Sequence, residues 1–400
     1  MNLVEIHNIK KSNKNWNACD RLCFLSKNLY NQALWEFNKH YKETGKTLRY
    51  NNMEKVMKTL PIEINNYKLL TPSVSQQVLM IFDRNIKSFF GLLKAKDKLN
   101  GHPKLMKFKH KEKGRNIVVL RGDHNVCKVK DGFIHFPAKL NLNPIKSINV
   151  GCQDDLVQVR IVPQTSSYKI EIVYKKDEKI NWDNGLASID LGVNNLATMI
   201  TEKSSIIYNG KDIKSINQYY NKQRAKLSSE LQLKWKKKSS NKITRLTQKR
   251  NNKVKDSLHK KSRQIVNKLK EDKIKNLAIG YNKEWKQEIN LGKKANQTFV
   301  SIPYSRFIDM LVYKCKLEGI NVIINEESYT SKCSAMDLEE IKKHEVYLGR
   351  RIKRGLFKTS KGLLINSDVN GSLNIGRKVF GDDYFNPTDR GFVLNPIKIY

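Results

Sequence analysis

The stretch Leu186-Ala187-Ser188-Ile189-Asp190-Leu191-Gly192-Val193-Asn194-Asn195-Leu196-Ala197-Thr198 limits what this chain can fold into more than any other. An apolar run ends in a carboxylate, turns through Gly192 and two asparagines, and resumes as Ala197-Thr198-Met199-Ile200. Strand-forming residues on both sides of a turn-forming centre predict a β-hairpin, with Asp190 near the middle or end of its first strand. A turn aspartate bonding its own backbone is the plain alternative for Asp190. What decides between the two is the company that the hairpin keeps further along the chain.

Beyond the hairpin, helical periodicity runs from about Ile216 to Lys273. Between Asn221 and Lys270 there are 18 Lys or Arg against two acids, Glu230 and Asp256. Lys236, Lys237 and Lys238 form its densest basic run, and Tyr219, Tyr220 and Trp235 are interleaved. Leu258, Ile265, Val266 and Leu269 keep an apolar stripe, so one part packs while the rest suits a phosphate backbone. Leu277-Ala278-Ile279 reads as a short buried strand. Pro303 opens a helix that Gly319 closes, and Val322-Ile323-Ile324 is the next strand, leading to Glu326 and Glu327. Strand, helix and strand in this order predict a crossover and a partly parallel sheet. At the end, Asp368 stands at the mouth of a final helix, where an N-cap role is the plain alternative. The spacing Asn366-x-Asp368-x-Asn370-Gly371 resembles the start of a calcium loop, but its twelfth position is Arg377, not the bidentate Glu required.

Upstream, residues 1–10 suit a first strand. Leu22, Leu25, Leu29, Ala33 and Phe37 mark an amphipathic helix, Asn52–Thr59 a second, and Pro72 opens a third that carries Arg84 and Lys87 on other faces. After the basic run Lys104–Arg115 the period shortens to that of strands, through Val157–Val162 and Tyr168–Tyr174. Residues 111–183, with 1–15, read as a β-barrel-like unit into which the helices of 16–110 are inserted. Phe89, Phe90 and Trp285 suit a core better than a base-stacking platform, and His259 and His344 show no ligand spacing.

A formal net charge of +38 requires a polyanionic partner, and nucleic acid fits a charge spread along most of the chain. No run approaches a membrane span and no secretory signal is visible, so a cytoplasmic, nucleoid-associated protein is expected. The six cysteines form no C-x-x-C pair and suit reduced, mostly buried thiols. In so basic a chain, carboxylates at Asp190, at the end of a middle strand and at Asp368 are not there to attract a polyanion. Three converging on a sheet could hold two Mg²⁺ ions about 3.5–4 Å apart, the arrangement that cleaves phosphodiesters, with Mn²⁺ able to substitute.

Ser188-Ile189-Asp190-Leu191-Gly192, Tyr329-Thr330-Ser331-Lys332 and Asp368-Val369-Asn370-Gly371-Ser372-Leu373-Asn374-Ile375 resemble the motifs of TnpB, the transposon-encoded RNA-guided nucleases related to type V CRISPR effectors. The tract Gly280–Gly292 is similar to one subgroup of that family, as are Ser26–Asn31 and Lys87–Phe90. The resemblance implies an α/β, RNase H-like (RuvC) nuclease domain from about residue 184 to 400, with a β-barrel wedge domain and an inserted helical recognition domain. It also implies a guide RNA from the transposon end, a double-stranded DNA target beside a short adjacent motif, and Mg²⁺-dependent cutting. Guide pairing would select the sequence while the protein holds backbones.

Two departures from the family pattern stand out. Where the family carries a glutamate at the end of its middle strand, this chain has Gly280, and the nearest replacements are Glu326 and Glu327 on the adjacent strand, about 4.8 Å away. Glu327 is taken as the ligand, with Glu326 as the alternative. The four-cysteine zinc motif is reduced to Cys333, so no zinc is expected and residues 331–338 should pack by other means. Lys332, Arg350 and Arg351 are candidates for contact with the scissile strand. The principal alternative to an active nuclease is a guided DNA-binding repressor that no longer cuts, and a strand-joining transposase is a third reading.

Overall fold

A computed structural model describes residues 1–95, 101–123, 126–282, 292–384 and 391–399. The tract similar to one subgroup, with Trp285, lies mostly outside the described residues. The chain forms two compact units, Met1–Lys176 and Asp177–Tyr400.

The first unit opens with β1 (Asn2–Ile9), followed by helices α1 (Trp16–Thr44), α2 (Tyr50–Thr59) and α3 (Pro72–Lys94). Strands β2 (Val118–Arg121), β3 (Lys128–Lys130), β4 (Phe133–His135), β5 (Ile145–Lys146), β6 (Leu156–Pro163) and β7 (Tyr168–Lys175) complete it. The sheets run β1-β7-β6-β2 and β3-β4-β5. The first strand therefore joins the later ones, as its pattern predicts. Helix and strand side chains of this unit share one hydrophobic cluster. Leu22, Leu29 and Phe37 of α1 lie in it with Val159, Ile170 and Ile172 of the sheet. The α1 stripe supplies one wall of that core and the alternate residues of β6 and β7 the other.

The second unit contains the hairpin β8 (Gly185–Leu191) and β9 (Asn195–Thr201), then β10 (Ser205–Asn209). Helices α4 (Lys211–Trp235) and α5 (Asn241–Glu271) follow, then β11 (Ile274–Gly280), α6 (Lys293–Val300), α7 (Tyr304–Leu317) and β12 (Asn321–Asn325). A small sheet of β13 (Arg350–Lys353), β14 (Leu356–Lys358) and β15 (Leu364–Asn366) precedes α8 (Ser367–Phe380), α9 (Gly391–Leu394) and β16 (Ile397–Ile399). The main sheet has the order β12-β11-β8-β9-β10-β16, with β8, β9 and β10 antiparallel and β11 parallel to both β8 and β12. The polar stretch 181–184 is tied into this unit: the Asn181 side chain donates to Ile274 O at 3.0 Å.

Helices cover both faces of the sheet. Ala187, Ile189 and Leu191 of β8 share a core with Leu258 and Ile265 of α5 and Phe307 and Leu311 of α7. On the other face, Val369 and Leu373 of α8 pack with Ile200 and Ile207. Because side chains alternate along a strand, Ser188 and Asp190 must point toward α8 once Ala187 and Ile189 point toward α5 and α7. Among the described residues, no helix is long and apolar enough to cross a membrane.

Candidate active site

Ser188 Oγ donates to Ser372 O of α8 at 2.6 Å, which fixes the register of helix on strand. Two residues further along β8, Asp190 meets the helix at Gly371. A Cβ at Gly371 would lie 2.9 Å from Asp190 Oδ2, so glycine lets the carboxylate approach the helix. Asp368 lies three residues before Gly371 and therefore on the same face of α8. The N-cap is Asn366, whose side chain accepts from the Asp368 amide at 2.9 Å. Asp368 is thus not the cap; its side chain lies in the first turn, where the helix dipole favours an anion. Asn195, at the start of β9, donates to Asp368 Oδ2 at 2.7 Å and orients it.

The third acid is Glu327. β11 and β12 run parallel with Gly280 opposite Asn325, so the chain just after β12 lies beside the end of β11. A Cβ at Gly280 would stand 2.6 Å from Glu327 Oε1 and 2.4 Å from Ile375 Cδ1. Glu327 therefore occupies space that a side chain at Gly280 would fill. Its amide donates to Asn282 Oδ1 at 2.9 Å, and Thr330 Oγ1 donates to its carbonyl at 2.8 Å, which fixes the backbone on both sides. Glu327 Oε1 is buried without a hydrogen-bond partner. Glu326 turns away, is exposed, and pairs with Lys378 at 2.9 Å.

Burial raises the Asp190 carboxyl well above its usual range, Glu327 and Asp368 raise it further, and Arg351 opposes them. Burial also raises Glu327, with Glu326 adding to the effect. Like charges held together in a dry place favour protons or cations between them. Among the described residues, no trio of His, Cys, Asp or Glu is gathered tightly enough to hold a metal ion as it stands. The donor set nonetheless suits Mg²⁺ or Mn²⁺: carboxylate oxygens are hard ligands, one is orphaned, and such ions keep waters and take substrate phosphate instead of a full protein cage.

Among the other residues named from sequence, Arg351 reaches this site, with Nη2 3.9 Å from Asp368 Oδ1 and its side chain 50% exposed. Arg350 precedes it on β13 and is exposed. Lys332 lies over the Tyr347 ring at 5.9 Å. Lys236, Lys237 and Lys238 form the exposed turn between α4 and α5. Arg84 and Lys87 line a cleft of about 580 Å³ in the first unit, where Lys87 also pairs with Asp83 at 3.2 Å. Sequence reasoning missed Asn195, Asn282 and Tyr304. Tyr304, fully buried on α7, donates to Gly192 O at 2.9 Å and pins the hairpin turn. Only the doubled asparagine at 194–195 gave a local signal, and it reads first as turn chemistry.

The loop that would carry a zinc motif is held by asparagines. Asn370 accepts from the Ala335 amide at 3.0 Å and donates to Cys333 O at 2.8 Å. Asn374 donates to Thr330 O at 2.9 Å and to Cys333 O at 2.7 Å.

Residues 169–286 match the OrfB_IS605 family, described as "Probable transposase", and residues 304–375 match the TNB domain of Cas12f1-like proteins. No curated protein matches the sequence. A solved Cas12f1–sgRNA–target DNA complex contains a chain that aligns at 16% identity and a TM-score of 0.53, over 89% of this chain and 81% of that one. A mini RNA-guided endonuclease, Cas-phi3, aligns at 11% identity and a TM-score of 0.43, over 94% and 92%.

Proposed function

We propose that this chain, whose residues 169–286 match the OrfB_IS605 family and residues 304–375 the Cas12f1-like TNB domain, is a TnpB-like, RNA-guided, metal-dependent DNA endonuclease with a RuvC-like nuclease domain in its second unit. On this reading the transposable element supplies the guide RNA, and cutting falls beside a short target-adjacent motif. The first unit acts as wedge and recognition region.

The observation that carries the proposal is Glu327 Oε1, buried and unpartnered near Asp190 of β8, on the side of the sheet that α8 with Asp368 covers. A buried acceptor without a donor is rare and calls for an explanation, and a cation is the simplest. Asp190, Glu327 and Asp368 would hold two Mg²⁺ ions. When bound, these ions supply an activated water and stabilisation of the leaving oxygen. Asn195 keeps one oxygen of Asp368 occupied and so sets the direction of the other. Arg351 is exposed enough to turn from Asp368 to a backbone phosphate. The α4–α5 turn, with Lys236 to Lys238, offers charge for RNA or heteroduplex.

With guide RNA and Mg²⁺, Asp190→Ala and Asp368→Ala should each abolish cutting while guide-dependent DNA binding survives. Normal cutting by either variant would refute the assignment. Gly280, standing where a glutamate would complete the family pattern, favours a second reading, a guided repressor. That reading holds if the unsubstituted protein binds target and never cuts it.

A further inference from the structure

A second cleft in the first unit, of about 820 Å³, is built for a different task. One wall is a face of α1 carrying Lys27, Asn28, Asn31 and Trp35, which recur at helical spacing. The other is the segment from Phe108 to Lys111. Trp35 and Phe108 are each 53% exposed, although large aromatic side chains are ordinarily covered.

This second wall is fixed in place. Asn31 donates to Lys109 O at 2.8 Å and accepts from the Lys109 amide at 2.9 Å. The buried Lys27 reaches Lys111 O at 2.5 Å. The rim carries Lys39, His110 and Lys111, all exposed, with Lys39 lying 5.6 Å from the Trp35 ring, against one acid, Glu36, in the lining. Asn28 lines the cleft and makes no side-chain hydrogen bond among the described residues, so its amide keeps two donors and an acceptor free.

We infer that this cleft holds an unpaired nucleotide of the bound RNA, with its base against Trp35 and Phe108, its edge at Asn28 and its phosphates on the basic rim. An aromatic face stacks only on a base that has left its duplex, and RNA presents such bases in loops, bulges and ends. An apolar peptide would leave the Asn28 amide and the lysine charges unmatched. A second copy of a chain with net charge +38 would be repelled. The inference rests on the guided reading above for the presence of RNA, and otherwise on the cleft alone.

The test uses full-length protein purified with its co-bound RNA, irradiated with ultraviolet light and mapped by mass spectrometry. RNA cross-links are expected on the peptides carrying Trp35 or Phe108. Trp35→Ala and Phe108→Ala should each weaken RNA retention roughly 5- to 100-fold, while Trp35→Phe, which keeps a ring, retains most of it. Melting temperatures of the variants report whether they fold. RNA that co-purifies but cross-links elsewhere, with Trp35→Ala unimpaired, overturns the cleft assignment and leaves the guided reading standing. Cross-links at the cleft to target DNA, or to a second protein chain, overturn RNA as the occupant. A preparation with no discrete RNA overturns both readings.

Discussion

Gly280 and Glu327 compete for one volume: a Cβ built on the glycine would lie 2.6 Å from Glu327 Oε1 and 2.7 Å from its Cγ. The absence of a side chain at the end of β11 and the presence of a carboxylate just after β12 are therefore two halves of one arrangement. The acid comes from the loop just after β12, and the end of β11 must carry no side chain for it to stand there.

Gly280→Ala should accordingly displace Glu327. A misplacement of about 1 Å can lower an enzymatic rate about 100-fold, and a loss of that order is expected in guided cleavage. Guide-dependent binding should persist. Gly280→Glu combined with Glu327→Gly should recover part of the activity that either change alone removes. Full cleavage by Gly280→Ala would show that Glu327 is not needed where it lies.

The two adjacent acids should separate cleanly. Glu327→Gln is expected to lower cleavage by more than about 100-fold, beyond the 10–100-fold typical of an outer partner. Glu326→Gln removes an exposed ion pair to Lys378, worth about 0–1 kcal/mol, and the charge behind the hydrogen bonds from Ser328, and should change cleavage a few-fold at most. Single-turnover cleavage rates measured side by side decide the matter.

Asn195 acts through Asp368. Asn195→Ala frees an oxygen that the amide now holds at 2.7 Å, and the Mg²⁺ concentration needed for half-maximal cutting should rise roughly 10–100-fold. Saturating Mg²⁺ should restore most of the rate. A loss that Mg²⁺ does not rescue would point to a different role.

Acid should loosen the helical part of the first unit through Glu54. Burial pushes this carboxyl up, but hydrogen bonds from Lys58, Tyr67, Gln76 and Tyr50 outweigh it and hold the group at about 2, below its ordinary 4.5. A group depressed in the folded state stabilises above its unfolded pKa and loses that contribution as pH falls toward the folded one. The stability difference between the protein and Glu54→Gln should therefore be full near neutrality and shrink between about pH 5 and pH 2. Denaturant titrations followed by circular dichroism at several pH values measure it.

The loop around Cys333 should depend on asparagine and not on metal. Asn374→Leu leaves the Thr330 carbonyl without this donor while Cys333 O keeps the one from Asn370, and about 1–3 kcal/mol of stability should go with the buried group orphaned. A zinc-selective chelator, with Mg²⁺ kept in excess, should leave the melting temperature unchanged. A marked fall on chelation would reveal a structural ion.

Much of the fold was legible because periodicity is local. The strand alternation of 168–174, the stripe of α1 and the proline at the start of α3 each mark their element without reference to the rest. How the helices and strands of the first unit meet was not legible in the same way. Whether two neighbouring segments form one core or two depends on which faces meet, and Leu29 and Ile170 meet in one. The helix cap went to Asn366 instead of Asp368, because both are good caps and the backbone chose the one in extended conformation.

Composition and order along the chain determined that this protein is basic, that its second half alternates strand and helix, and that Asp190 and Asp368 are candidates for one site. Only tertiary structure decided that Glu327 lies against Gly280 while Glu326 pairs with Lys378, that Gly371 and Gly280 make room for acids, and that Asn195 steadies Asp368. The reason is distance. Residues 190, 280, 327 and 371 become neighbours only after parallel strands and a crossing helix have packed, and no pattern within a short window records where a side chain from elsewhere will need space.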